Sequence, residues 1–505
     1  MPPNPRVNVA FRAKLGSVVC QTLVWLVLAS GPAAAADSLQ AQVNAIAERS
    51  PLNRAQLGVL AIEAATGRAL AQHQADREFT PASTFKVLLS VTALETLGPQ
   101  FRFRTQLLAR GSLAGDRLDG DLILVGGGDP TLTAADLTGA AIAVARSGIR
   151  EVRGTVLADE SLYEGRRWGP NWSWDGMPFY YEAPIQALAI DKGTIDVVIT
   201  PGARDGDRVG AALASPSPDY TIASIAVMSA SPDDDPERCS HRPGTTRILI
   251  VGRMPLGASG ETLHCAVEDS SARAVTVFRQ ALESAGVRVA ATALGPRPAN
   301  DEHDVIDQGP APLPIAKRYP NAQVVWSHDS PPLIGIFRTM LAKSDNFTAE
   351  HVLKMLAVVK LKQRGSFIGG ATVEQRFAVG LGIDRDAIDV NDGSGLSSTD
   401  KITPRGLVSI LRHAAARPYG NDFINALPRA GMEGTLAYRF AGTDAAGRIR
   451  AKDGYMQHTI ALAGYADTLH HGRVFFAVMI DEATGPPVPY FDLEDEIVRD
   501  LIDLP

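Results

Sequence analysis

Apolar positions recur at helical spacing in a few well-marked stretches of this chain. From Thr84 to Leu97 they return every three or four residues until Gly98 interrupts, which predicts a helix entered from Pro81-Ala82-Ser83. Pro332 to Lys343 and Phe347 to Lys362 read the same way, separated by the polar turn Ser344-Asp345-Asn346, and so does Ser271 to Gly286. Apolar runs with the composition of strands occupy Asp196 to Thr200, Arg247 to Val251 and Thr459 to Tyr465. Clusters of Pro, Gly and charge break the chain at 215–220, at 231–243 with its Asp233-Asp234-Asp235 run, and at 295–314. Helical patterns therefore lie mainly before residue 100 and after residue 330, around a middle that reads as β-rich and inserted. At 505 residues the chain is too long for one ordinary core, so two or more domains are expected.

The N-terminus has a different pattern. Arg6, Arg12 and Lys14 precede an apolar run from Leu15 to about Ser30, then Gly-Pro and Ala33-Ala34-Ala35-Ala36, the layout of a secretory signal cut before Asp37. The run is shorter than the ~20 residues a membrane span needs, so stable membrane insertion is not expected and the periplasm is the expected location. Cleavage would take the formal charge from −7 to −10, a balance that argues against nucleic acid as a partner. Two cysteines, Cys239 and Cys265, would remain; an oxidising compartment allows them to pair, while spacing alone leaves two free thiols equally open.

Three short motifs carry the chemistry. Ser83-Thr84-Phe85-Lys86 places a hydroxyl at the start of a helix, where unpaired N–H groups and the dipole favour an oxyanion, with an amine on the same face one turn later. A serine needs a base to attack, and lysine is a base only when burial or nearby positive charge lowers its pKa. In Ser344-Asp345-Asn346 a hydroxyl and an amide on one turn can relay a proton and hold a substrate amide, although a bare Ser-Asp-Asn equally serves as a helix cap. Lys452-Asp453-Gly454, just before an expected strand, would supply charge, with Gly454 permitting close approach of a substrate along the strand edge. An isolated Ser-x-x-Lys is usually an N-cap and a surface lysine; the order of all three motifs is what gives them weight.

With these motifs the chain resembles the serine D-Ala-D-Ala carboxypeptidases and endopeptidases of the class C, low-molecular-mass penicillin-binding proteins. The likeness extends to Gly127-Gly128-Asp129-Pro130-Thr131-Leu132, Tyr181 to Pro184, Asp392-Gly393-Ser394-Gly395-Leu396-Ser397, and Leu427-Pro428 with Gly434-Thr435-Leu436. It implies an α/β fold: a transpeptidase/β-lactamase-like domain, an antiparallel sheet flanked by helices, formed by residues 37–103 and 312–505, with inserted β-rich domains over 104–311. It also implies roles. Ser83 would be acylated, Lys86 its base, Ser344 and Asn346 the proton relay and amide contact, and Lys452 the partner of the substrate's terminal carboxylate. Asp345, Asp453, Gly454 and Tyr455 would line the substrate. The expected partners are peptidoglycan peptides and β-lactam antibiotics, with no metal or organic cofactor, and a Cys239–Cys265 bond would staple the insertion.

Asp453 departs from the family pattern, which has Thr or Ser there, and Tyr455 replaces a second small hydroxyl residue. Two like charges ~4 Å apart in an effective dielectric of ~20 repel by ~4 kcal/mol, nearly three decades in rate, so an ionised Asp453 facing a substrate carboxylate is expected to disfavour carboxypeptidase action relative to endopeptidase cleavage. Ser398 also stands where many relatives carry a basic residue. The alternatives are a peptidoglycan-binding pseudoenzyme disabled by Asp453 and a β-lactamase-like hydrolase. His351 and His458 have no motif context that would make either the base of a Ser-His-Asp site.

Overall fold

The computed structural model describes residues 32–503 except 232–237, 243 and 291–308, and for 32–38 the main chain alone. The expected signal segment over 1–31 and the Asp233-Asp234-Asp235 run lie outside the described residues; the cleavage point expected before Asp37 falls within the helix Pro32–Ala47.

A five-stranded antiparallel sheet unites the two ends of the chain. Its strands lie in the order Ile449–Met456, Thr459–Asp467, Arg473–Asp481, Gln56–Glu63, Ala69–His73. Gln56 pairs with Asp481 and Lys452 with Ala463, so the lysine motif lies on the edge strand. The strands Thr459–Asp467 and Arg473–Asp481 are buried almost end to end because helices cover both faces, which is why they are apolar throughout rather than alternating. On one face Leu407, Leu411 and the helix Lys86–Thr96 join a large core with Phe475 and Ala477. On the other, Leu39 and Val43 of the first helix and Leu493, Ile497 and Leu501 of the last pack on Val59, Leu462 and Phe476.

Between the halves lie two further units. In one, the strands Arg104–Ala114, Arg117–Val125, Glu151–Val152, Val156–Asp159, Arg288–Val289 and Gln323–Asp329 form a sheet covered by the helices Ala134–Arg146 and Ser270–Ser284. A reciprocal capping box of Thr133 and Asp136 starts the first of these helices. The other unit is all-β, with small sheets built from strands between Thr194 and Ala266. Cys239 and Cys265 form a disulfide there, Cα atoms 5.6 Å apart. Two features differ from the sequence expectation. The first unit is mixed α/β rather than β-rich, and Gln323–Asp329 pairs antiparallel with Arg104–Ala114, so chain beyond the expected boundary at 312 still belongs to the inserted sheet.

The predicted helices appear with shifted ends: Leu333–Lys343, Asn346–Leu356 continued by a π-helical turn over Ala357–Leu361, and Ser270–Ser284. The nucleophile segment differs most. A 3₁₀ turn, Ala82–Phe85, precedes the α-helix Lys86–Thr96, and Ala82 sits at φ +45°, a left-handed conformation that a residue with a Cβ adopts only when its surroundings impose it.

Candidate active site

The 3₁₀ turn leaves Ser83 half-buried at the head of a helix whose next turn is fully buried. Lys86, wholly inaccessible to solvent, directs Nζ at three oxygens: Ser83 Oγ at 2.9 Å, Asn346 Oδ1 at 2.7 Å and the Ser394 carbonyl at 2.8 Å. Two of these can only accept, so a neutral amine donating to both turns its lone pair to the serine hydroxyl. Burial pushes the Lys86 amine down to about 7, assisted by the positive charge of Lys452 and opposed by Glu350, Asp392 and Asp345. That places a free base next to a hydroxyl near neutral pH.

Asn346 reaches Lys86 from the first residue of the helix Asn346–Leu356, and its Nδ2 donates to the Tyr181 carbonyl at 3.0 Å, which fixes the amide orientation. Ser344 precedes it in a left-handed conformation, φ +55°, half-buried and not hydrogen-bonded to Ser83 or Lys86. Asp345, expected at the substrate, has a structural role in this arrangement. It is the N-cap of that helix, accepting from Thr348 N at 3.2 Å and Thr348 Oγ1 at 3.1 Å, and its other partner is Lys192 of the inserted region. The cap use of this motif and its active-site use thus coexist, divided between Asp345 and Asn346.

Lys452 is fully buried, and its Nζ donates to the Asp453 carbonyl at 2.6 Å and to Asp453 Oδ1 at 2.7 Å. Thr435 Oγ1 donates to the same carboxylate oxygen at 2.5 Å. Burial works against ionisation of Asp453, but the Lys452 charge, the hydrogen bonds from Lys452 and Thr435, and Arg439 outweigh it and hold the carboxyl below the usual carboxylate range. Asp453 is therefore a paired anion. Gly454 lies against the nucleophile turn: a Cβ there would stand 2.8 Å from the Pro81 carbonyl and 3.0 Å from Ser83 N. Tyr455 is exposed, its ring 5.6 Å from that of Phe491.

Neither histidine takes part. His351 is fully buried, its ring nitrogens facing the Phe347 carbonyl at 2.8 Å and the Gln186 carbonyl at 3.0 Å, and burial pushes its pKa down to about 4. His458 Nδ1 faces the Ala483 carbonyl at 2.7 Å.

The motifs left several contributors unassigned: the carbonyls of Ser394 and Tyr181, Thr435 beside Asp453, and Trp172, whose Nε1 donates to Asp392 Oδ2 at 2.7 Å. Tyr181 and Trp172 come from a loop of the inserted region. Main-chain carbonyls leave no signature in a sequence, and only the Gly-Ser-Gly around Ser394 hinted at backbone held close to something. Among the described residues no group of His, Cys, Asp and Glu could hold a metal ion, and no helix is long and apolar enough to cross a membrane.

A profile of the D-Ala-D-Ala carboxypeptidase 3 (S13) family matches residues 39–490. A D-alanyl-D-alanine carboxypeptidase of Actinomadura sp. (strain R39) is 31% identical over 471 residues, covering 91% of this chain and 84% of the relative. The D-alanyl-D-alanine carboxypeptidase DacB of Haemophilus influenzae is 24% identical over 448 residues, 88% of each chain. The crystal structure of penicillin binding protein 4 (dacB) from Haemophilus influenzae superposes with a TM-score of 0.78 at 23% identity, over 91% of this chain and 99% of that one, and agrees in fold. A family match over nearly the whole described chain, joined to a relative above 30% identity at similar coverage, means that this chain belongs to the D-Ala-D-Ala carboxypeptidase 3 (S13) family.

Proposed function

We propose that this protein is a serine-type D-alanyl-D-alanine carboxypeptidase and endopeptidase that acts on peptidoglycan stem peptides through an acyl-enzyme on Ser83 and is acylated there by β-lactams. The observation that carries this is the buried Lys86 amine, 2.9 Å from Ser83 Oγ and brought down to about 7. Lys86 takes the hydroxyl proton as Oγ bonds to the substrate carbonyl carbon, and the carbonyl oxygen becomes an oxyanion facing the Ser83 N–H and the strand after Gly454. The oxyanion collapses, the C–N bond breaks, and the leaving amine takes a proton through Lys86 or the Ser344 hydroxyl. Water then cleaves the acyl-enzyme, with Lys86 again as base. The leader expected over residues 1–36 supports action in the periplasm. The sheet partition supports two inserted units, whose 172–182 loop borders the substrate site.

Intact-mass measurement after incubation with a penicillin tests this reading. The protein is expected to gain the drug's mass, and a Ser83→Ala variant none; an adduct that survives in Ser83→Ala would refute the nucleophile.

The Asp453 pairing favours cross-link cleavage over release of a terminal D-alanine. Lys452 and Thr435 both donate to Asp453 Oδ1, which takes up the groups positioned for a substrate carboxylate, whereas a cross-link whose leaving amine has no carboxylate beside it brings none to that place.

A further inference from the structure

Two carbonyls aim the Lys86 amine, and one helix supplies the first and braces the residue that carries the second. Asn346 stands at the first position of Asn346–Leu356, and Glu350, one turn later on the same face, is fully buried behind the site. Glu350 Oε2 accepts from Gly393 N at 2.9 Å and Oε1 from Ser394 N at 2.8 Å, and the Ser394 carbonyl is the one that accepts from Lys86 at 2.8 Å. Asp392 holds the next peptide, the one that carries the Ser394 carbonyl, by accepting from Gly395 N, and also accepts from Ser397 N, each at 2.7 Å. Among the described residues, Glu350 is the side chain to which the Gly393 and Ser394 N–H groups donate. Should Ser394 shift, the peptide that begins at its carbonyl would move with it, Lys86 would lose one of its two carbonyl acceptors, and its lone pair would no longer be confined to Ser83.

We infer that Glu350 is a positioning residue for acylation: its carboxyl holds the Gly393 and Ser394 amides so that the Ser394 carbonyl, together with Asn346 Oδ1, turns the Lys86 lone pair onto Ser83. This rests on the proposed role of Ser83. Glu350 lies among other charges, with Asp392, Glu374 and Asp400 on the acidic side and Lys86 and Lys354 on the basic side. Glu374, also fully buried, makes no hydrogen bond to the 393–395 amides and serves as the control for loss of a buried carboxyl.

The test is stopped-flow acylation by a chromogenic β-lactam, resolving the dissociation constant of the non-covalent complex from the first-order acylation rate, for the wild type, Glu350→Gln and Glu374→Gln. Rates are read per acylated site, so a partly folded preparation still reports. A glutamine presents an acceptor to only one of the two amides, so Glu350→Gln is expected to slow acylation tenfold or more while the dissociation constant stays within about twofold, and Glu374→Gln to match the wild type. A Glu350→Gln rate within twofold of wild type, an equal loss in both variants, or a loss confined to the dissociation constant would overturn the inference. If Glu350→Gln does not fold, Glu350→Asp, which withdraws the oxygens by one methylene, is held to the same split. Absence of wild-type acylation would remove the proposed function as well, whereas an acylated wild type matched by Glu350→Gln removes this inference alone.

Discussion

Lys86 shows how one environment sets both the direction and the strength of a base. Its two carbonyl acceptors fix where the lone pair points, and burial beside Lys452 brings the amine to about 7 instead of its ordinary 10.5. For a lowered lysine the sign is plain: the free base, which is the active form, fills in as pH rises through the shifted value. Acylation by a penicillin is therefore expected to climb about tenfold per pH unit below about 7 and to level off above it. A rapid-quench pH series checks this, and a midpoint near 10 would mean that the amine is not depressed. The proposed substrate preference also turns on a single residue, Asp453. Unpaired, its charge would cost a substrate carboxylate ~4 kcal/mol; pairing with Lys452 offsets that charge but engages the cation a substrate carboxylate would need. Asp453→Thr is expected to raise kcat/KM for D-alanine release from a pentapeptide at least tenfold and to change cleavage of a cross-linked dimer much less. Equal changes on both substrates would show that Asp453 does not discriminate between them.

The 3₁₀ turn at Ser83 is an element made by its neighbours. Ala82 is left-handed, and its carbonyl lies so near the Gly395 Cα that a Cβ there would stand 1.9 Å away; Gly395 itself has φ +76°. Gly454 closes the other side of the turn. Gly395→Ala combines a backbone clash with an unfavourable φ, and is expected to cost about 2 kcal/mol or more in chemical denaturation and to slow acylation, because the adjoining Ser394 carbonyl moves with it. Unchanged stability would mean that the turn tolerates the displacement. The flanking helices could be read from apolar spacing because each buries a stripe of its own. The turn could not, since its shape is set by glycines 312 and more residues away along the chain, and sequence periodicity carries no information about such contacts.

At the level of the whole molecule, the sequence conveyed the architecture through motif order and resemblance: two ends forming one sheet, with an insertion between them. What it missed follows from the same physics. Gln323–Asp329 and Arg104–Ala114 pair across the chain, and no local pattern distinguishes an inserted strand that returns from a catalytic one that begins. Asp345 kept the N-cap role its residue type favours, while Asn346 beside it entered the site. Lys86 meets Asn346 from 260 residues away and Ser394 from 308, and the Lys452 strand joins the sheet through Thr459–Asp467, which follows it. A chain growing from its N-terminus therefore displays its serine and lysine early, long before the carbonyls that aim the amine or the edge strand that shapes the cleft have been made. Until its last strands have closed the sheet against Gln56–Glu63, the polypeptide carries a nucleophile with no activated base, so activity waits for the C-terminal strands to fold into place.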